Sequence, residues 1–251
     1  MPRDDLPLPP LTWWATLRWA AVTPLLPADR DTTVVEVGCG LGAFGARFAA
    51  RYAGYVGVEP DAASAAVARG RVTPRSGVVV PDVAAVAEGS AGMLCAFEVL
   101  EHLSDDVAEL RRWCRLAAPG ALVVVSVPAE PERYGPWDER VGHYRRYTRE
   151  GMAGVLRAAG VEPVAVTHYG YPFGYALERA RNTIARRGAG EVTGVPMERR
   201  TESSGRQRQA GSAAMGALRA RVSVPFVAWQ RRHPDRGPGI VAAGRVTGGR
   251  A

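Results

Sequence analysis

Val34-Val35-Glu36-Val37-Gly38-Cys39-Gly40-Leu41-Gly42 leads straight into Ala43-Phe44-Gly45-Ala46-Arg47-Phe48-Ala49. An apolar run with one acid passes into Gly-x-Gly-x-Gly and then into an apolar helical pattern. That order predicts a buried strand, a tight turn and a helix start, the layout of a nucleotide site in a doubly wound sheet. The turn demands positive backbone angles and close approach of ligand to main chain, and glycine permits both. Two phosphate sites are excluded by spacing. A dinucleotide fingerprint reads Gly-x-Gly-x-x-Gly, whereas the third glycine here comes one residue early, at Gly42. Gly40 and Gly45 have P-loop spacing, but no Lys-Ser/Thr pair follows.

Three acids surround this turn in the sequence. Glu36 stands two residues before the first glycine, where its carboxylate suits a cationic amino group and repels a pyrophosphate. The next apolar run, Tyr55-Val56-Gly57-Val58, ends in Glu59-Pro60-Asp61. An acid at the end of a second strand accepts hydrogen bonds from ribose hydroxyls. Asp82 follows Val78-Val79-Val80-Pro81 and is placed to accept from an adenine amino group.

With these motifs in order, the chain resembles the class I S-adenosylmethionine-dependent methyltransferases. The matching residues are Glu36 to Gly42, Val58-Glu59-Pro60, Asp82-Val83, Phe97-Glu98-Val99-Leu100-Glu101-His102-Leu103, and Pro119-Gly120-Ala121-Leu122-Val123-Val124-Val125-Ser126. The resemblance covers roughly residues 30–170. It implies a Rossmann-like, seven-stranded doubly wound α/β sheet with an antiparallel last strand. It also implies S-adenosyl-L-methionine as cofactor and methyl transfer to an acceptor. Carried over residue by residue, Glu36, Gly38, Cys39 and Gly40 would hold the methionine end, Glu59 and Pro60 the ribose, and Asp82 with Val83 the adenine. Phe97 would line the same site. The plain alternative is an ordinary strand–helix turn with solvated acids at the strand ends.

Composition narrows the class. A chain of 251 residues suits one α/β domain with a small appendage. No run of about eighteen apolar residues occurs, so no spanning helix is expected. Met1 to Pro7 lacks the cationic and apolar order of a secretory signal. Cys39, Cys95 and Cys114 are odd in number and sit in expected core elements, which fits reduced thiols in a cytoplasm. No cysteine has metal-ligand spacing with a histidine, and the four histidines are scattered, so no metal is expected. Every cation is an arginine; a GC-rich coding bias explains that choice but not the net charge of +7.

Along the chain, residues 1–30 read as an N-terminal cap segment with a tryptophan-bearing helix over Leu11 to Leu26, and residues 31–251 as the main domain. Within it, 31–170 is the core. Strands are expected at 33–37, 54–58, about 77–80, 91–97, 121–127 and 161–167. Helices are expected at 42–52, 61–70, 105–117 with Ser104 as N-cap, and 149–159 with Thr148 as N-cap. Residues 171–236 are a helical insertion or lid between strands six and seven, with helices near 174–187 and 213–230 around a polar stretch. Residues 237–251 carry the last strand. The insertion holds thirteen arginines against five acids, a net of +8, so the remainder is near neutral. Long insertions of this kind are functional or disordered.

The acceptor is expected at the carboxyl ends of the strands. The loop after strand five is long and aromatic, and its Gly142-His143-Tyr144-Arg145-Arg146-Tyr147 resembles a Gly-His-x-Arg-x-Tyr pattern of small-molecule methyltransferases. His143 and His102 are the candidate general bases, since imidazole has the right acidity near neutral pH; the alternative for each is a structural histidine. Tyr134, Trp137, Tyr144 and Tyr147, with Trp14 from the leading helix, could wall an apolar acceptor, and Arg145 and Arg146 could pair with an anion, against a solvated basic turn as the bland reading. A small organic acceptor, as in specialised metabolism, is the expected partner.

Nucleic acid is the rival suggested by the basic insertion. Against it, Phe97-Glu98-Val99-Leu100 is not the Asn/Asp-Pro-Pro-Tyr/Phe of exocyclic-amine methylation, and Cys95 lies inside a strand. RNA methylation and non-catalytic S-adenosylmethionine binding remain the alternatives. Residues 213–230 mix apolar residues with Arg219 and Arg221, so peripheral contact with a membrane surface is a third option beside a core-facing helix.

Overall fold

The computed structural model describes residues 6–187 and 213–247. Seven strands form one sheet in the order β3-β2-β1-β4-β5-β7-β6. They are β1 (Thr33–Val37), β2 (Gly54–Val58), β3 (Val78–Val80), β4 (Ala91–Phe97), β5 (Ala117–Pro128), β6 (Val161–Tyr169) and β7 (Gly239–Val246). The first five run parallel, whereas β7 is antiparallel to both β5 and β6 and lies between them. The order reverses between β1 and β4, the switch point where open α/β sheets place their ligands. The fold is thus the Rossmann-like arrangement with a reversed last strand that the sequence implies.

Both sheet faces are covered, which explains why the central strands are continuously apolar. Alternation along each strand splits the core in two. Val35, Leu94 and Val125 face one layer with α4 (Asp106–Cys114) and α6 (Arg149–Ala158), where Leu110, Trp113 and Leu156 pack. Val34, Met93 and Val124 face the other, with α1 (Trp13–Val22), α2 (Ala43–Arg51) and α3 (Ala62–Val72), where Leu17, Phe48 and Val72 pack. Cys39, Cys95 and Cys114 are buried and free.

Some expected boundaries move for local reasons. The helix over 11–26 is α1 from Trp13, capped by Thr12 accepting from the Ala15 amide, and Pro24 turns its end into a 3-10 turn over Thr23–Leu25. α4 is capped by Asp105, not Ser104: the Asp105 carboxylate accepts from the Ala108 amide. It stops at Cys114, three residues short of Ala117, because β5 begins there. Inside the expected loop after β5 lies a further helix, α5 (Pro136–Val141), with Pro136 in its first turn and left-handed Gly142 ending it. The insertion supplies α7 (Phe173–Arg187) and α8 (Ala213–Arg232). The expected polar stretch 188–212 lies outside the described residues. α8 docks on α1 and α7: Phe226 stacks on Phe173 at 4.5 Å, and Gln230 joins the Leu17 carbonyl to the Gly170 amide. Among the described residues no helix is long and apolar enough to cross a membrane.

Candidate functional site

The carboxyl ends of β1, β2 and β4 open into a cavity of about 950 Å³ roofed by α1. All nine residues assigned to a cofactor from sequence line it: Glu36, Gly38, Cys39, Gly40, Glu59, Pro60, Asp82, Val83 and Phe97. The turn after β1 brings the first four together. Gly38 sits at φ +71°, and a Cβ there would come within 2.5 Å of Val99 Cγ2, so only glycine fits. The Gly38 and Cys39 amides both donate to the Val58 carbonyl, which fastens the turn to β2.

Glu36 is buried, and its Oε2 accepts from the Tyr55 hydroxyl at 2.6 Å. Burial pushes its carboxyl up to about 8, with the Tyr55 hydrogen bond and nearby Arg18 working the other way. A cationic amine beside it would restore the ionised form. Glu59 is locked by two main-chain amides, Gly40 N–H to Oε2 at 2.8 Å and Asp61 N–H to Oε1 at 3.0 Å. Burial raises its carboxyl as well, and those amides oppose the rise. Each oxygen keeps a further lone pair for a hydroxyl donor. Asp82 is exposed; its Oδ1 caps the turn over Val83–Ala85 by accepting from the Ala84 amide and stands 3.5 Å from Arg112.

At the other end of the cavity, Trp14 of α1, Trp137 of α5 and Arg181 of α7 meet. The guanidinium lies 4.3 Å from the Trp14 ring centre and 5.2 Å from that of Trp137. Trp13 and Trp19 instead pack on Phe173 and Phe44. Sequence reasoning missed Arg18, Glu98 and Arg181, all of which line the cavity. Glu98 ends β4 at φ +57°; its carboxylate pairs with Arg18 at 3.1 Å and accepts from Ser126 and Tyr169. An acid directly after Phe97, and an arginine one turn after Trp14, were the available signals.

Only one of the two candidate histidines lines the cavity. His102 lines the cavity and donates from Nδ1 to the Gly142 carbonyl at 3.1 Å. His143 is buried behind it, edge-on to its ring at 4.7 Å between centres, and borders only a small adjoining hollow. Its Nδ1 lies 2.7 Å from Asp138 Oδ1, and its Nε2 lies 3.7 Å from Glu101 Oε1. Asp138 is also held by Arg146 at 2.6 Å, and Arg146 reaches Glu178 at 2.5 Å. Burial alone would raise the Asp138 carboxyl; His143 and Arg146 outweigh it and hold it down at about 2.

Five expected acceptor residues do not line the cavity: Arg146 is buried between Asp138 and Glu178, the Tyr134 hydroxyl donates to the His143 carbonyl at 2.7 Å, and Tyr144, Arg145 and Tyr147 are held elsewhere. The Tyr147 hydroxyl donates to Asp106 Oδ2 at 2.6 Å, and Arg145 pairs with the same oxygen at 3.2 Å, so both tie the loop to the start of α4. Tyr144 is exposed, and its amide donates to the Glu101 carbonyl at 2.7 Å. Conversely, the scattered histidines predicted no metal site, yet the fold gathers Glu101, His102 and His143 with ligand atoms within 4.8 Å of one another.

A family model described as a methyltransferase domain matches residues 14–166. An uncharacterized methyltransferase of Mycobacterium sp. (strain JLS) is 36% identical over 144 residues, covering 53% of this chain and 55% of the relative. The chain thus spans about half the length of the curated relatives it matches. Among solved structures, an S-adenosylmethionine-dependent methyltransferase from Mesorhizobium loti superposes with a TM-score of 0.56 at 15% identity, over 91% of this chain and 97% of that one. Phosphoethanolamine N-methyltransferase 2 of Haemonchus contortus, holding phosphomonomethylethanolamine and S-adenosylhomocysteine, gives 0.59 at 15% identity, over 95% and 53%.

Proposed function

The chain belongs to the methyltransferase domain family, and from that membership we propose that it moves a methyl group from S-adenosylmethionine to a small organic acceptor. The observation that carries this reading is the convergence of Glu36, the Gly38–Gly40 turn, amide-locked Glu59 and Asp82 on one cavity. The donor set fits the cofactor. Buried Glu36 takes the ammonium of the methionine end, and the open Gly40 position admits a ligand close to main chain. Glu59 takes the ribose hydroxyls, and the Asp82–Val83 turn takes the adenine edge. When bound, S-adenosylmethionine supplies an electrophilic methyl carbon on a sulfonium.

The chain's own part is positioning and exclusion of water. A cavity of about 950 Å³ has room for the cofactor and an acceptor of modest size. Trp14, Trp137 and Arg181 border the acceptor end and suit a flat or anionic small molecule. The enclosure of that end by α1, α5 and α7 favours a small acceptor over RNA. His102 replaces His143 as the histidine that meets the acceptor. With Nδ1–H on the Gly142 carbonyl, its Nε2 carries the lone pair that draws a hydroxyl proton.

Titration calorimetry with S-adenosylmethionine and S-adenosylhomocysteine tests the cofactor reading; no heat of binding would overturn it. Labelled cofactor incubated with a cell extract then tests transfer. A labelled small molecule is expected, label in RNA would move the acceptor to nucleic acid, and binding without transfer would leave a non-catalytic cofactor-binding protein.

A further inference from the structure

Two imidazoles and a carboxylate meet beside the cavity: His102 lines it, and Glu101 and His143 are buried behind. Glu101 and His102 come from the 3-10 turn Leu100–His102 after β4, and His143 follows Gly142, forty residues on from Leu103. We propose that Glu101, His102 and His143 hold a divalent cation of the zinc or manganese class, whose open position takes a hydroxyl of the acceptor; this rests on the methyl-transfer reading.

Both imidazoles are oriented as metal ligands are. His143 Nδ1 is held by the Asp138 carboxylate and His102 Nδ1 by the Gly142 carbonyl. Those acceptors place the N–H on Nδ1 and the lone pair on Nε2, the nitrogen that would ligate. A carboxylate or carbonyl behind the ligating ring is the arrangement that sets tautomer and orientation at metal-binding histidines. Arg146 in turn fixes Asp138 from the far side. His143 Nε2 and Glu101 Oε1 stand 3.7 Å apart, close to the roughly 3.4 Å edge of a tetrahedron with bonds of about 2.1 Å. The loop is pinned on both sides, by Tyr144 N–H to the Glu101 carbonyl and by the Tyr134 hydroxyl to the His143 carbonyl.

The donor set chooses the ion. Two nitrogens and one oxygen suit borderline divalent cations, whereas calcium and magnesium select all-oxygen sets. Two histidines and a glutamate with an open fourth position is also a ligand set of catalytic zinc. Glu101 and His143 are buried and His102 borders the cavity, so the cavity is the side from which an acceptor would reach the ion. With the ion present, His102 is a ligand and the cation acidifies the hydroxyl in place of a base. The hydroxyl proton leaves to solvent, an oxygen lone pair forms the O–CH₃ bond, and the C–S pair stays on sulfur. The acceptor class is therefore a phenol, enol or chelating hydroxy acid.

The test uses the full chain, stripped with a chelator and titrated separately with Zn²⁺ and Mn²⁺ by calorimetry and metal analysis. One ion per chain is expected. His102→Gln and Glu101→Gln should each weaken binding at least tenfold, and Asp138→Asn by about 10- to 100-fold. No stoichiometric ion, or unchanged affinity in His102→Gln, would overturn the proposal. Should the buried variants unfold, half-buried His102→Gln decides alone, with its melting curve as control. S-adenosylhomocysteine is titrated in parallel. Its binding without an ion overturns only the cation site; an ion without its binding supports the site and overturns methyl transfer.

Discussion

The Gly40 amide donates to Glu59 Oε2 at 2.8 Å, so the acid that ends β2 also closes the glycine turn that ends β1. On the proposed reading Glu59→Ala therefore removes a ligand contact and loosens the turn together. Affinity for S-adenosylhomocysteine should fall by about 1–3 kcal/mol, the worth of lost charge-assisted hydrogen bonds. Calorimetry checks this, and unchanged affinity would remove Glu59 from the ribose site.

Glu36 gives the cofactor site a pH signature. Its carboxyl lies near 8 in the free protein, so below that pH the proton must leave before an ammonium can pair with it. Affinity should rise with pH toward 8, by up to about tenfold per unit, and then level. Glu36→Gln should flatten the profile. The sign for folding is opposite. The folded chain holds a proton that the unfolded chain loses near pH 4.5, so this group's contribution to stability declines as pH rises from about 4.5 to about 8. Denaturant titrations of the free protein across that window measure it.

Gly38→Ala places a Cβ at φ +71° and 2.5 Å from Val99 Cγ2. Strain of about 1–3 kcal/mol is expected from the backbone alone. A lowered melting temperature and loss of cofactor binding should follow. Adding Val99→Ala relieves the contact but not the angle, so recovery should be partial; full recovery would show that sterics alone exclude a side chain.

Arg181→Leu tests the acceptor end. The guanidinium between Trp14 and Trp137 contributes about 0.5–2 kcal/mol in such stacks. The acceptor's KM should rise while S-adenosylhomocysteine affinity, measured by calorimetry, stays put. A loss of cofactor affinity instead would place Arg181 at the other end of the cavity.

Arg146→Met leaves Asp138 and Glu178 as buried carboxylates without their shared cation. The cost should be about 3–5 kcal/mol, read from denaturant midpoints. In the parent chain Asp138 ionises near 2, below its unfolded value of 3.8, so its contribution is complete above about pH 4 and disappears as pH falls through 2.

The sheet was legible because its strands are buried on both faces. Runs such as Thr33–Val37 and Ala91–Phe97 are bounded by turns and have no competing helical period. The residues that line the cavity at the ends of β1 and β2 were legible because each stands a fixed step from a strand end. The acceptor end was not, because its contacts join distant segments. Nothing near Tyr147 and Arg145 tells that Asp106 will capture both, or that Gly142 will lay His143 behind His102. α5 escaped because six residues carry too little periodicity, although Gly135-Pro136 at its start and Gly142 after it marked its ends. Arg181 escaped because α7 reads as a basic surface helix until α1 and α5 bring indoles to it.

The strand that completes the sheet, β7, is made after the six others, yet it belongs between β5 and β6. While a ribosome is still delivering residues 171–238, those two neighbours have unfilled hydrogen-bonding edges facing a gap. Such edges are templates for pairing with other chains. The nascent chain is therefore most vulnerable to misassembly before Gly239 is delivered, and truncation just before Gly239 should yield aggregate rather than a smaller folded domain.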